Sequence, residues 1–268
     1  MRAANASRVR RAAQWLVRQH LERIPSRPMP AALAPRDVAE AYAVQDDFVM
    51  LKARYCGQVA GHKIALTTPR MRALVGLDTP IAGQLHARQI VRGPGLVRAA
   101  EYVRLIVEFE IAMQIARDLV PDGTPYTMQR AADAVGAVMP AFELADDRRA
   151  DYATLAARGL ELAADNAWND GAVLGAPVVD WRGMDLAAVR GTAIINDAVA
   201  GEGRGADSMG HPLAALAWVA NHLAARGQGL RRGDIVITGS LVTSKFPQRG
   251  DRVRFEAGVL GSVELRVR

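Results

Sequence analysis

The sequence of 268 residues has little cysteine, lysine or aromatic content, and it has no long apolar run. Because Cys56 is the only cysteine, an internal disulfide is impossible and a zinc site built from several cysteines is excluded. No stretch of about 18 apolar residues occurs, so we expect neither a membrane span nor a secretion signal. These absences favour a reducing, cytoplasmic setting.

Lysine is the rarer of the two basic residues, because only three of the 34 lysines and arginines are lysines, namely Lys52, Lys63 and Lys245. The net charge of +6 is compatible with nucleic-acid binding, but the arginines are scattered and aromatic residues make up only 5% of the chain. We therefore expect no nucleic-acid partner, and each lysine calls for a specific reason.

Hydropathy patterning places helices mainly in the first part of the chain. The apolar spacing predicts amphipathic helices over Arg8–Ile24, from about Pro35 through Phe48, and over Pro212–Arg226. Shorter helices are predicted over Pro69–Leu74 and Ala131–Val138. The half-apolar composition provides enough material for one large buried core.

Strand patterns dominate the rest of the chain and determine the fold class. Strands are predicted over Val59–Leu66, 102–116, Ile235–Thr238, Arg252–Phe255 and Val263–Val267. Because strands and helices do not alternate regularly, we predict an α+β fold rather than a doubly wound parallel sheet. Residues 1–268 are predicted to form a single catalytic domain, with a helix-rich part over 1–100 and a β-rich core over 101–268. The glycine-rich stretch 201–206 is interpreted as a polar loop and not as a dinucleotide motif.

A Glu-x-Glu pair lies in the longest strand pattern. Alternate residues of a strand share a face, so Glu108 and Glu110 are expected side by side, opposite the apolar face that includes Phe109. Two buried carboxylates are costly without a cation, although a solvent-exposed face would also explain the pattern. Glu143 stands among apolar neighbours and is a candidate third ligand. Three carboxylates without clustered cysteine or histidine favour Mg²⁺ or Mn²⁺ over zinc.

Lys63 is a second unusual residue, because it lies in the apolar strand pattern of residues 61–66 in a chain that otherwise prefers arginine. A lysine whose ammonium reaches the surface is the simpler interpretation. A lysine beside a metal-bound carbonyl could instead move a proton or stabilise an oxyanion.

A series of short segments in colinear order resembles the 2-oxopent-4-enoate hydratase and 4-oxalocrotonate decarboxylase group of the fumarylacetoacetate hydrolase superfamily. The resemblance runs from about residue 30 to the C terminus and is carried by residues 41–45, 61–67, 76–83, 107–112, 140–143, 164–167, 239–241 and 260–263. It implies N-terminal helices and a mixed β-sheet roll of the superfamily's type. Two departures, His62 and the Trp168-Asn169 pair, are expected to reshape the substrate pocket.

The resemblance also implies the roles of individual residues. Glu108, Glu110 and Glu143 would bind the divalent ion, and Lys63 and Asp78 would act in proton transfer. Asn166 and Ser240 would lie near the substrate.

These observations together lead us to expect a metal-dependent lyase that adds water to a small unsaturated 2-oxo acid of the 2-hydroxypenta-2,4-dienoate type, in aromatic catabolism. Decarboxylation of a 2-oxo-enedioate is the nearest alternative, for which His86 and Arg88 are candidates for a second anion site. Hydrolysis of a carbon-carbon bond would need a general base such as histidine, and no histidine lies in a matching motif. A non-catalytic subunit is a further alternative. We expect a homo-oligomer, or a complex with a related decarboxylase or hydratase.

Overall fold

The computed structural model describes residues 2–268, with side chains from residue 5 onward. Its helices are α1 (Arg2–Leu21), α2 (Val38–Cys56), α3 (Pro69–Val75), α4 (Met128–Ala132), α5 (Gly159–Ala164) and α6 (Pro212–Ala225). Its strands are β1 (Val59–Ala65), β2 (Ile81–His86), β3 (Ile90–Arg92), β4 (Gly95–Val97), β5 (Leu105–Ile115), β6 (Val135–Asp146), β7 (Asn169–Leu174), β8 (Arg190–Ile195), β9 (Ala198–Arg204), β10 (Ile235–Lys245), β11 (Arg252–Glu256) and β12 (Ser262–Val267). None of the helices in this range combines the length and apolar character needed to cross a bilayer.

Two mixed sheets form the centre of the fold. The larger has seven strands in the order β2-β1-β10-β5-β6-β7-β3, and the smaller has five in the order β4-β12-β11-β8-β9. Most neighbours are antiparallel, whereas β1 and β10, β3 and β7, and β4 and β12 run parallel. This arrangement confirms the predicted α+β class, because a doubly wound sheet would be mostly parallel.

Aromatic rings fill the space between the two sheets. Phe109 of β5 packs against Phe142 of β6 and Phe255 of β11, with ring centroids 5.6 Å apart in both pairs. All three side chains are fully buried. Because neighbouring residues of a strand point to opposite faces, this packing turns Glu108 and Glu110 away from the aromatic core.

Helix α2 holds β2, an edge strand of the larger sheet, in place. Helix α2 begins after Asp37, whose carboxylate accepts a hydrogen bond from the first turn (2.8 Å). On its buried face the Tyr42 hydroxyl accepts a bond from the Ala82 amide (3.0 Å). The Gln45 amide donates to the carbonyls of Ala82 (2.9 Å) and Ala163 (2.7 Å), which ties β2 to α5.

The helix predicted over Ala131–Val138 is wrong in its second half. Helix α4 ends before this segment does, and Val135 and Val138 already belong to β6, where they pair with Ile115 and Met113 of β5. β-Branched residues favour strands, and the long pairing with β5 overrides the local helical pattern.

The glycine-rich stretch 201–206 was predicted as a loop, and this is also wrong, because residues up to Arg204 form β9, which pairs with β8. A Cβ on Gly203 would lie 1.8 Å from the carbonyl oxygen of Leu241. Glycine is therefore needed at this position so that β9 can approach β10 closely.

Candidate metal centre and active site

Strand register brings the three glutamates to one face of the larger sheet. Glu108 of β5 lies directly opposite Glu143 of β6, and Glu110 is two residues further along the same face. One carboxylate oxygen from each lies within 4.8 Å of the others. Glu110 and Glu143 are 0% and 1% exposed and Glu108 is half-buried, so this face of the sheet is not an ordinary solvent-exposed one.

Each carboxylate accepts a hydrogen bond from a neutral neighbouring donor. The Ser244 hydroxyl donates to Glu108 Oε1 (2.7 Å), and the amide of Gly239 donates to Glu110 Oε2 (2.6 Å). The side-chain amide of Asn169 donates to Glu143 Oε1 (2.9 Å). These bonds fix the carboxylates without using up their acceptor capacity.

Two buried oxygen atoms identify the point on which the cluster converges. Within residues 2–268, Glu110 Oε1 and Glu143 Oε2 are buried and accept no hydrogen bond. A buried acceptor left without a partner costs free energy, and a cation between the carboxylates would satisfy both atoms. Carboxylate oxygens are the ligands that hard divalent cations prefer. The residues therefore fit such an ion.

The electrostatics of the cluster support the same interpretation. Burial raises the pKa of Glu110 well above its ordinary value, and the charges of Glu143 and Glu108 raise it further. Burial also raises the pKa of Glu143, with the ammonium of Lys63 acting in the opposite direction. Without a cation, the cluster crowds like charges into a site that excludes water.

Lys63 lies in β1 beside these carboxylates and is only 2% exposed. Its Nζ atom is 2.8 Å from Glu143 Oε1, so the interpretation as a surface lysine is excluded. Burial on its own would lower the pKa of Lys63, but the charges of Glu143 and Glu108 outweigh it, and the pKa lies above its ordinary value. Lys63 is therefore an ammonium in this arrangement.

Asn166 bonds the backbone of β2 next to the glycine that lies opposite Lys63. Its Oδ1 accepts from the amide of Gln84 (2.7 Å), and its Nδ2 donates to the carbonyl of the same residue (2.9 Å). Gly83 lies opposite Lys63 in the β1–β2 register, and a Cβ on Gly83 would be 2.9 Å from both Lys63 Cγ and Asn166 Oδ1. The side chains of Asn166 and Lys63 thus pack together over a glycine, and direct contact of Asn166 with a substrate stays a prediction.

Neither Ser240 nor Asp78 forms a side-chain hydrogen bond with the three glutamates in the part of the chain that the structure describes. Ser240 pairs with Glu110 in the β10–β5 register. Its hydroxyl accepts from the amide of Phe109 (2.9 Å) and donates to the carbonyl of Val242 (2.7 Å). Asp78 is exposed in the loop before β2 and makes no hydrogen bond or ion pair with the described residues. The roles of both residues stay predictions.

Three of the groups that contact the carboxylates were not identified from the sequence. Ser244 stands out in no motif, and Asn169 was noted only as a departure from the family pattern. The amide of Gly239 acts through the backbone, which has φ +99, and a Cβ there would lie 2.5 Å from Thr67 Cγ2. The Gly-Ser-Leu segment was the available signal for it.

The arrangement, three convergent carboxylates beside a buried lysine, fits the site of an enzyme that uses a hard divalent cation. The chain belongs to the fumarylacetoacetate hydrolase family, since the family model described as "Fumarylacetoacetate (FAA) hydrolase C-terminal" matches residues 71–268. The family resemblance inferred from the sequence is therefore confirmed.

Individual relatives narrow the class further. A 2-keto-4-pentenoate hydratase of Paraburkholderia phymatum is 33% identical over 217 residues, which cover 80% of each chain. A 2-oxo-hept-4-ene-1,7-dioate hydratase of Escherichia coli is 30% identical, over 85% of this chain and 86% of that protein. The structure of 4-oxalocrotonate decarboxylase from Pseudomonas putida G7, complexed with magnesium and adipate, matches with a TM-score of 0.88 at 26% identity, over 98% of both chains.

These comparisons confirm the predicted fold class and the prediction of a lyase, because hydratases and decarboxylases are both lyases. The magnesium in the decarboxylase structure and the acidic cluster of this chain both support a divalent cation.

Proposed function

We propose that the chain is a divalent-metal-dependent hydratase, which adds water to a small unsaturated 2-oxo acid of the 2-hydroxypenta-2,4-dienoate type and yields a 4-hydroxy-2-oxo acid. The observation that carries this proposal is the pair of unpartnered oxygens, Glu110 Oε1 and Glu143 Oε2, beside the buried ammonium of Lys63. Relatives that share about a third of the sequence are named as hydratases of such acids.

Glu108, Glu110 and Glu143 would hold the cation, which we propose to be Mg²⁺ or Mn²⁺. A cation bound there supplies a Lewis acid for the carboxylate and 2-oxo oxygens of the substrate. The donors from Ser244, Gly239 and Asn169 keep the carboxylates in one orientation, so little rearrangement would be needed when a cation binds.

Lys63 would provide proton transfer and positive charge. In the overall reaction the enol oxygen loses a proton and C5 gains one, after which the hydroxyl of water bonds to C4 and its proton to C3. An ammonium 2.8 Å from Glu143 can exchange a proton with that carboxylate or with a substrate oxygen. Asp78 is the proposed second proton-transfer group, which requires its loop to approach the substrate. Asn166 and Ser240 would position the substrate through the backbone segments that they hold.

The remaining expectations belong to the same proposal. We propose a single catalytic domain over residues 1–268, a cytoplasmic location in aromatic catabolism, and a homo-oligomer or a complex with a related decarboxylase or hydratase. Decarboxylation of a 2-oxo-enedioate is the second candidate, and the close structural match to a 4-oxalocrotonate decarboxylase favours it.

The test is incubation of the protein and Mg²⁺ with 2-hydroxypenta-2,4-dienoate and, separately, with 2-hydroxymuconate. Loss of ultraviolet absorbance without release of CO₂ is the expected result and identifies a hydratase. Release of CO₂ in proportion to substrate loss would instead identify a decarboxylase. No conversion of either compound, with Glu143→Ala as the inactive reference, would overturn both assignments.

A further inference from the structure

A backbone turn of unusual conformation leads from α5 into the metal centre. Asn166, Ala167 and Trp168 have positive φ angles of 52°, 46° and 62°, and we call these three residues the left-handed turn. Glycine adopts this region freely and asparagine tolerates it, whereas alanine and tryptophan adopt it at a cost in free energy. A strained backbone of this kind persists only where the surrounding structure enforces it. The residues that flank the turn must therefore hold it.

The left-handed turn sets the direction of Asn169, which follows it directly as the first residue of β7. The side-chain amide of Asn169 donates to Glu143 Oε1 (2.9 Å), the same oxygen that lies 2.8 Å from Lys63 Nζ. Both donors thus hold Oε1, while Oε2 accepts no hydrogen bond from the described residues. Asn169 therefore helps to keep Glu143 in the orientation that leaves Oε2 free for a cation.

An ion pair holds the residue before the turn. The carboxylate of Asp165, which is 5% exposed, accepts a hydrogen bond at Oδ2 from Arg148 Nη2 (2.6 Å), and its Oδ1 lies 2.6 Å from His20 Nε2. Burial alone would raise the pKa of Asp165, but Arg148 and His20 outweigh it and lower the pKa to about 2. Asp165 is therefore a carboxylate at neutral pH, tied to helix α1 and to the segment that follows β6.

A second carboxylate, that of Asp170, holds the other end of the segment. Its Oδ1 accepts a hydrogen bond from Gln89 Nε2 (2.8 Å) and lies 3.5 Å from Lys52 Nζ. Lys52 belongs to α2 and is buried, with its ammonium 5.5 Å from the ring centroid of the fully buried Phe48. The same ring contacts His20, with centroids 5.0 Å apart, so the two ends of the segment are held by residues that pack together. These contacts give Lys52, one of only three lysines, a specific place in the fold.

We propose that Asp165 and Asp170 are positioning residues that hold the left-handed turn between them. They act through Asn169, whose hydrogen bond orients Glu143 at the metal centre. Their side chains bond residues away from the three glutamates, whereas Asn166 and Asn169 bond β2 and β6 on the side of the metal centre. The segment is thus fixed from two sides. This inference rests on the proposed function, in which Glu143 binds the cation.

The first test is a double-mutant cycle in which calorimetry measures the affinity for Mg²⁺. Asn169→Ala removes the donor to Glu143 and should weaken Mg²⁺ binding about tenfold, as expected for a residue that orients a metal ligand. Asp170→Ala removes the contacts with Gln89 and Lys52 and should weaken Mg²⁺ binding about fivefold. Because Asp170 acts through Asn169, the double variant should bind Mg²⁺ no more weakly than Asn169→Ala alone.

The matched control is Asp197→Ala, which removes an 81% exposed aspartate that pairs with Arg252, and it should leave the affinity for Mg²⁺ unchanged. Unchanged affinity in Asp170→Ala, or effects of the two substitutions that multiply in the double variant, would overturn the positioning role and leave the proposed function intact. Absence of Mg²⁺ binding to the wild-type protein would instead overturn the proposed function, and the positioning role with it.

A second test uses glycine in the turn to compensate for the loss of the Asp165 carboxylate. Asp165→Asn removes the charge beside Arg148 and should weaken Mg²⁺ binding about tenfold. Adding Ala167→Gly, which lets the turn adopt its left-handed backbone without that cost, should restore most of the affinity. Ala164→Gly, in the right-handed helix α5, is the matched control and should restore none. Equal effects of the two glycines would overturn the role of the turn, and if Asp165→Asn does not fold, the Asp170 cycle decides.

Discussion

Replacing Glu110 by glutamine should stabilise the metal-free protein while it abolishes the response to Mg²⁺. The change removes a buried negative charge and keeps an oxygen that can accept the hydrogen bond from Gly239. The new amide group would point toward the carboxylates of Glu108 and Glu143, to which it can donate. In the metal-free protein, a repulsive contact is thus replaced by a hydrogen bond.

The magnitude follows from the separation of the charges. At 4.8 Å and an effective dielectric constant of about 20, each like-charge pair costs about 3.5 kcal/mol. Glu110 takes part in two such pairs, whereas the attraction of Lys63 and partial protonation offset much of the cost. We expect a net gain of about 2 kcal/mol, or about 5 °C in Tm for a chain of this length.

The assay is thermal unfolding of both proteins after chelation and again with Mg²⁺. A cation at 100 times its Kd should stabilise the wild-type protein by about 2.7 kcal/mol and the variant hardly at all, so the order of Tm values reverses. Glu264→Gln, at an exposed position of β12, removes the same charge elsewhere and should change stability by less than about 0.5 kcal/mol. A metal-free Glu110→Gln protein less stable than wild type, or one stabilised normally by Mg²⁺, would refute the reasoning.

Further predictions concern the residues around Lys63. Lys63→Arg keeps the positive charge beside Glu143, but a guanidinium cannot exchange a proton, so kcat should fall about 100-fold. The affinity for Mg²⁺, measured by calorimetry, should stay the same. An unchanged kcat would count against the role of Lys63. Gly83→Ala places a Cβ 2.9 Å from Lys63 Cγ and Asn166 Oδ1 and should displace both side chains, so kcat should fall about 100-fold. The circular dichroism spectrum should not change. Turnover at the wild-type rate would argue against this packing. Burial lowers the pKa of His62 from 6.5 to about 4, with smaller contributions from His222 and Arg226. Because the unfolded chain binds this proton more tightly than the folded chain, the stability present above pH 6.5 should decline by about 3 kcal/mol as the pH falls from 6.5 through 4. His62→Asn should remove this decline from a plot of the urea midpoint against pH. Identical plots for the variant and the wild type would contradict the prediction.

Local patterning was enough to predict that the three carboxylates share one face of the sheet. The alternation around Phe109 assigned Glu108 and Glu110 to one face, and an acid among apolar neighbours singled out Glu143. These inferences held because side-chain direction in a strand depends only on the period of two.

Long-range register could not be predicted from the same patterns. The pairing of β10 with β5 shifts at three points, and those irregularities bring the Ser244 hydroxyl to Glu108 and the amide of Gly239 to Glu110. A bulge changes which residues face each other without a clear mark in hydropathy. The failed helix over Ala131–Val138 has the same origin, because pairing with a distant strand decided its conformation.

The direct opposition of Glu108 and Glu143 limits where the chain can change in length. Inserting or deleting one residue within β6 before Glu143 would turn that carboxylate toward Phe109 and Phe255 and put an apolar side chain beside Glu108 and Glu110. Residues 120–125, an exposed part of the connection between β5 and β6, carry no such constraint, because they pair with no strand and their side chains are not in the core. Insertions in descendants of this sequence should therefore accumulate in that connection, and the paired strands should keep their length residue for residue.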